Sequence, residues 1–234
     1  MSMYDIGKAR RARFSEADWL TDRKWTVTIE GLGGIGSWVA LLVSRSVYPL
    51  KLLLYDMDIV SEVNIGGQLY GPDDVGLKKT DVSQTNIGKF SGVYDIITFE
   101  EFKETSVISS VCISAFDNMK ARRAMFNVWK NAHFPGGTIF IDGRLLAEYY
   151  QIYFVTPDRI EEYEKTLFDD SEVEQENCAF KQTTHFAAMI ASKMVQGLTN
   201  WIVNNKGGNR ELPFKYTEVG PLFHVEISEK EEVK

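Results

Sequence analysis

The sequence predicts an α/β fold: a doubly wound, mostly parallel sheet continued by antiparallel strands. Three observations predict it. Short apolar runs alternate with helical periodicity from Trp25 to Asp142, and such alternation implies right-handed crossovers between parallel strands. A glycine-rich turn, IEGLGGIGSW at 29–38, joins the first apolar run to the first helical one. The run KLLLYD at 51–56 is apolar without alternation, as a strand covered on both faces requires. Together these describe a Rossmann-like core over residues 25–142.

Each element follows from its own pattern. Residues 1–24 mix basic and acidic side chains and are expected to form an arm with a short helix around Ser15–Leu20. Trp25–Glu30 is the first strand, and Gly34–Val47 is a helix with Ile35, Trp38, Val39, Leu42 and Val43 on its inner face. Lys51–Asp56 is the second strand, Gly76–Ile87 a weak helix, and Val93–Thr98 the third strand. Val107–Ala115 is rich in β-branched residues and suits a fourth strand. Asn118–His133 is helical until Pro135-Gly136-Gly137 stops it before a strand at Thr138–Asp142. Beyond lie a strand at Tyr149–Val155, a charged helix at Arg159–Phe168 and an acidic connection at Asp169–Asn177. Thr183–Asn205 is a long helix with Phe186, Ile190, Met194, Leu198 and Trp201 on one face. Two short strands near Phe214–Val219 and Phe223–Ile227 follow. No Pro- or Ser-rich linker divides the chain, so residues 25–228 are expected to form one domain between an arm at 1–24 and an acidic tail at 229–234.

Composition narrows the function. A net charge of −7 lacks the basic face that nucleic acid requires, and the one basic cluster is KARRAR at 8–13. Apolar stretches are interrupted by Arg45, Lys51 or Lys193 before they reach membrane-spanning length, and the N-terminus has no signal-peptide core. A cytoplasmic protein with neither nucleic acid nor membrane as partner is expected. Cys112 and Cys178 make no disulfide framework and no paired zinc ligands.

The spacing Gly31-x-Gly33-x-x-Gly36, after a strand and into a helix, belongs to loops that cradle nucleotide phosphates. Asp56, at the end of the second strand, suits a ribose-binding acid. These two features fit a nicotinamide-dependent oxidoreductase as readily as an ATP enzyme. Four more features bear on the choice. The acid is doubled as Asp56-Met57-Asp58, and Gly34 and Ser37 complete the loop as GGIGS. Lys79 follows the turn Asp74-Val75-Gly76, and Asp117-Asn118 opens a helix with Arg122 one turn on. By residue type alone, Asp117 also suits a helix N-cap, Lys79 a solvated surface, and Asp58 and Asn64 local turn bonds.

At these residues the chain resembles the ThiF/MoeB/HesA family, which shares its fold with ubiquitin-activating enzymes. The family's GxGGxGS loop is matched by Gly31, Gly33, Gly34, Gly36 and Ser37, and its DxDxV by Asp56, Asp58 and Val60. Asn64 and Gln68 match the ends of N-L-x-R-Q, while Val75, Gly76 and Lys79 match the following turn. Asp117, Asn118 and Arg122 match D-N-x-x-x-R, and the resemblance runs from Trp25 to Trp201. It implies that Asp56 bonds the ribose, that the glycine loop approaches the adenosine phosphates, and that Asn64 and Lys79 face the phosphates. Gln68 and Arg122 complete the nucleotide site, and Asp117 positions Mg²⁺ and the reacting α-phosphate. A triphosphate presents leaving-group charge that needs cations, which hydride transfer does not.

The implied reaction is attack by the C-terminal glycine carboxylate of a small ubiquitin-like or sulfur-carrier protein on ATP, giving an acyl-adenylate and pyrophosphate. A carboxylate is already ionised at neutral pH, so His133, His185 and His224 need no catalytic role. The resemblance further implies a homodimer in which an N-terminal arginine, from Arg10, Arg11 and Arg13, reaches the neighbour's phosphates; ATP and Mg²⁺ are the expected cofactors, without zinc. One position departs from the pattern: Gly67 stands where the family has a phosphate-contacting arginine. Three readings therefore stay open, namely an adenylating enzyme, a catalytically impaired nucleotide- or partner-binding relative, and a nicotinamide oxidoreductase.

Cys178, in ENCAFK at 176–181, falls where the family members that handle their product covalently carry a cysteine. The helix expected from Thr183 and the adjacent Lys181 favour its thiolate, whereas Glu174 and Glu176 oppose it. Cys112, inside an apolar strand, reads as core.

Overall fold

The computed structural model of the protein describes residues 11–168 and 183–229. Strand β1 (Trp25–Glu30) pairs in parallel with β2 (Leu50–Tyr55) on one side and β4 (Val111–Ser114) on the other. β2 pairs in parallel with β3 (Ile96–Phe99), and β4 with β5 (Ile139–Leu146). β6 (Tyr149–Val155), β7 (Lys215–Val219) and β8 (His224–Ser228) add antiparallel to complete an eight-stranded sheet in the order 3-2-1-4-5-6-7-8. This is the mixed architecture that the sequence predicts. The strand order reverses between β1 and β4, and ligands of open α/β sheets lie beyond the carboxyl ends of the strands at such a switch point.

Alternation along β1 sends Val27 and Ile29 to one face and Thr28 and Glu30 to the other. On the first face, Val27, Ile29, Ile113 and Ile141 form a core with α1 (Gly34–Ser46), α2 (Lys79–Ser91) and α5 (Thr184–Asn204). Phe186, Ile190, Met194, Leu198 and Trp201 are all buried in it, as their helical spacing predicts. On the second face, Cys112, Phe140, Tyr153 and Val155 pack with Phe126 and Trp129 of α3 (Met119–Asn131) and Tyr163 of α4 (Ile160–Glu164). Cys112 is fully buried, and burial pushes its thiol well above the usual range. No described helix is long and apolar enough to cross a membrane.

Three of the departures from the expected spans have a visible physical cause. The expected helix around Ser15–Leu20 is replaced by one 3-10 turn at Ala12–Phe14, because Phe14 and Trp19 stack and Trp19 Nε1 donates to Ser46 O at 3.2 Å. The fourth strand starts at Val111 rather than Val107. Upstream, Tyr55 Oη donates to Val107 O and Ser109 N donates to Thr28 Oγ1, so side chains take the groups a ladder would use. The helix expected over Arg159–Phe168 is only α4. Thr166 Oγ1 donates back to Tyr163 O at 2.8 Å while Arg144 Nη1 donates to Thr166 O at 3.0 Å, and both bonds end the helix.

Candidate active site

The glycine loop sits where β1 turns into α1. Gly31 has φ +82°, and a Cβ there would lie 2.9 Å from Ala115 O, so only glycine lets the end of β1 lie against the end of β4. At Gly36 a Cβ would come within 1.7 Å of Gly31 O. Gly36→Ala is therefore expected to destabilise by about 2–4 kcal/mol through forced separation of loop and helix, read as a fall in denaturation midpoint. Gly33 faces open space instead: its nearest neighbour would be Gln68 Nε2 at 4.0 Å. The helix start beyond it presents unpaired backbone N–H groups and the positive end of the α1 dipole, a ready anion site.

A continuous set of bonds ties this loop to the two acids and the lysine. Leu32 N donates to Asp56 Oδ2 at 2.6 Å, and Asp58 N donates to Asp56 Oδ1 at 2.8 Å. Lys79 Nζ donates to Asp58 Oδ2 at 2.7 Å, with the lysine side chain 6% exposed and the aspartate 62% exposed. Burial pushes the Asp56 carboxyl up, and the Leu32 N–H and the Lys79 charge only partly offset that. Tyr70 Oη donates to Leu32 O at 2.7 Å, and Leu69 N donates to Ser37 Oγ at 3.1 Å, which pins the 66–70 segment to the loop. Ser37 is thus spent on the loop's own architecture.

Asp117 lies just beyond β4, two residues after the Ala115 that touches Gly31, and is exposed. It is not the helix cap. Asn118 is the N-cap of α3, its Oδ1 accepting from Ala121 N at 2.8 Å, while its Nδ2 donates to Asp117 Oδ1 at 3.3 Å and the Asp117 side chain stays exposed. One carboxylate together with phosphate oxygens is a set that Mg²⁺ takes. The open cradle at Gly33, the lysine and this carboxylate fit a metal-bound nucleotide.

The other candidates differ in what they bond. Asn64 Oδ1 accepts from Ser61 N and Ser61 Oγ, both at 2.9 Å, and so caps its own turn. Gln68 has a buried Oε1 without a partner. Gly67, at the family's arginine position, is buried, and its carbonyl accepts from Trp38 Nε1 at 3.4 Å. Arg122 is turned inward and 4% exposed rather than standing open in the cleft. Its Nε donates to Asp142 Oδ1 at 2.6 Å and its Nη2 to Phe116 O at 2.7 Å. Asp142 is fully buried, and its Oδ2 accepts from Arg144 Nε at 2.8 Å and Tyr163 Oη at 2.9 Å. Burial pushes this carboxyl up, but the Arg122 and Arg144 charges outweigh it and hold it below its usual range.

Arg11 also differs from expectation. Its Nη2 donates to Ser44 O at 2.6 Å at the carboxyl end of α1, and its guanidinium covers the Tyr48 ring at 4.6 Å. With 13 residues in α1, that end lies about 20 Å from the glycine loop. Arg11 is a helix cap, not a free arm; Arg13 is exposed, while Arg10 and Cys178 lie outside the described residues. His133, His185 and His224 are exposed.

Comparison with known proteins follows the same outline. The sequence profile of the ThiF family matches residues 8–230. The chain is 29% identical over 125 residues to ubiquitin-like modifier-activating enzyme 5 of Arabidopsis thaliana, covering 44% of this chain and 29% of that relative. The enzyme of the same name from Oryza sativa subsp. japonica is 35% identical over 80 residues, 34% of this chain and 18% of the relative. The matched stretch thus spans less than a third of these relatives. Among solved structures, PaaA superposes with a TM-score of 0.71 at 20% identity over 98% of this chain and 74% of its own. E. coli MccB crystallised with ATP superposes with a TM-score of 0.68 at 17% identity, over 90% of this chain and 64% of its own. At these identities the likeness is one of fold.

Proposed function

The chain belongs to the ThiF family, and from that premise we propose that it uses ATP to adenylate the C-terminal carboxylate of a substrate protein. The observation that carries the reading is the bonded path from Leu32 through Asp56 and Asp58 to Lys79, built directly on a glycine cradle. MccB, of the same fold, has been crystallised with ATP and in complex with N-formylated MccA, which supports a fold that takes a nucleotide and a second partner.

In this reading the N–H groups at the start of α1 receive the phosphates. Asp56, oriented by two backbone donors, bonds the ribose. Lys79 moves from Asp58 toward the phosphates and balances the charge that builds on pyrophosphate as it leaves. Mg²⁺, when bound, supplies Lewis-acid charge compensation at the phosphates, with Asp117 as its protein ligand. The substrate carboxylate attacks the α-phosphorus, the bond to the pyrophosphate oxygen breaks, and no proton needs to move. Arg122 acts indirectly, holding Phe116 and hence the turn that carries Asp117. We take the substrate to be a small ubiquitin-like or sulfur-carrier protein ending in glycine, and the enzyme to work as a homodimer.

Exposed apolar side chains support a protein substrate. Leu146, Tyr149, Leu222 and Phe223 stand exposed at the ends of β5, β6 and β7, the same end of the sheet as the cleft, with Phe223 94% exposed. A second reading, a relative that binds nucleotide without turning it over, is favoured by Gly67, which puts no cation where the family places one. Calorimetric titration with ATP–Mg²⁺ and with NADH tests the nucleotide: ATP binding without NADH binding is expected, and the reverse sinks the reading. Asp117→Ala is expected to abolish pyrophosphate exchange while shifting stability by less than ~0.5 kcal/mol, since the cap belongs to Asn118. A large loss of stability would return Asp117 to a structural role.

Transfer of the acyl group to Cys178, with AMP leaving, is the proposed later step. Iodoacetamide is expected to label Cys178 far faster than the buried Cys112. Equal, slow labelling of both would remove the covalent step.

A further inference from the structure

Glu30 is an acid at a place where the sheet needs none. It is the last residue of β1 and is 3% exposed. Register sets it between Tyr55 of β2 and Ser114 of β4, in the row immediately before the glycine loop. Glu30 Oε2 is buried with no hydrogen-bond partner, and so is Ser114 Oγ on the neighbouring strand. Leaving such an atom buried and unpaired is destabilising, and an apolar residue would suit a central strand better. Buried polar atoms are nearly always satisfied by something.

The surroundings say what could satisfy them. Burial first, and the Asp56 charge second, push the Glu30 carboxyl up to about 9, so near neutral pH it is an uncharged acid that both donates and accepts. A neutral acid does not repel a nucleotide's phosphates. Asp56, one strand away, already has each oxygen committed to one backbone N–H. A ribose brings two vicinal hydroxyls, each a donor and an acceptor, to the carboxyl ends of these same two strands.

We infer that Glu30, backed by Ser114, is a second ribose-reading group: Asp56 takes one hydroxyl of the diol, Glu30 bonds the other, and the site thereby selects ribonucleotides over deoxyribonucleotides. The inference rests on the ATP reading above, and the test separates the two. Binding of ATP, 2′-deoxyATP and 3′-deoxyATP, each with Mg²⁺, is measured by calorimetry on the full chain and on Glu30→Gln, Glu30→Val and Glu30→Thr, with circular dichroism melts to establish folding. Wild type is expected to prefer ATP over both analogues by ~10-fold or more. Glu30→Val and the shorter polar Glu30→Thr should lose the preference at one hydroxyl and keep it at the other, while Glu30→Gln, whose amide donates and accepts, keeps both. If the folded Val and Thr variants retain both wild-type ratios, the orphaned atoms are met by a trapped water and the inference fails alone. If wild type binds none of the three, the ATP reading falls with it.

Discussion

Replacing Asp142 by alanine is expected to destabilise the protein by about 3–5 kcal/mol, the cost of leaving buried charge uncompensated. Two guanidiniums converge on this carboxylate, Arg122 Nε at 2.6 Å and Arg144 Nε at 2.8 Å, with Tyr163 Oη at 2.9 Å as a third donor. Arg122 is 4% exposed and Asp142 not at all, so water cannot replace the missing partner. Because the folded-state pKa of Asp142 lies below its unfolded value of about 3.9, its contribution is present above that pH and is lost as pH falls through the folded value. The deficit of Asp142→Ala should therefore be full at neutral pH and shrink in strong acid. Denaturant titrations across pH check this, and a neutral-pH deficit below ~1 kcal/mol would contradict the assignment.

Lys79→Met is expected to slow pyrophosphate exchange by ~10²–10³-fold, the usual effect of losing one preorganised charge-stabilising group, with little change in stability. Methionine keeps the buried stem's volume, and the partner Asp58 is 62% exposed, so its carboxylate is resolvated when the lysine goes. Exchange at the wild-type rate would reduce Lys79 to a partner of Asp58. Lys79→Arg should restore only part of the rate, because a planar fork does not place its charge where a terminal ammonium does.

The glycine loop, the strand–helix alternation and the inner face of α5 were legible because each is a local pattern with a fixed period. Asp56, Asp58 and Lys79 were legible as types at a spacing, but the bonded path among them appears only once β2 and α2 are side by side. Arg122 shows the limit of that method. Its place after Asp117 suggests a nucleotide contact, yet its guanidinium bonds Phe116 O and Asp142, the latter twenty residues on. That pairing depends on the alignment of β4 with β5, which no window of sequence contains. Glu30 was not singled out, since one acid in WTVTIE carries no periodic signal. An acid directly before the first glycine of the loop was the only hint available. The early end of α4 was not legible for a similar reason, because Arg144 and Thr166 meet through the fold rather than along the chain.

Exchange of radiolabelled pyrophosphate into ATP shows whether this protein activates a carboxylate with ATP. Exchange is measured with Mg²⁺ and a small ubiquitin-like protein ending in glycine, alongside the same protein lacking that glycine. Label is expected in ATP only with the intact C-terminus, and none with Asp117→Ala. Tight ATP binding with no exchange for any carboxylate-bearing partner would contradict carboxylate activation and leave a nucleotide-holding protein.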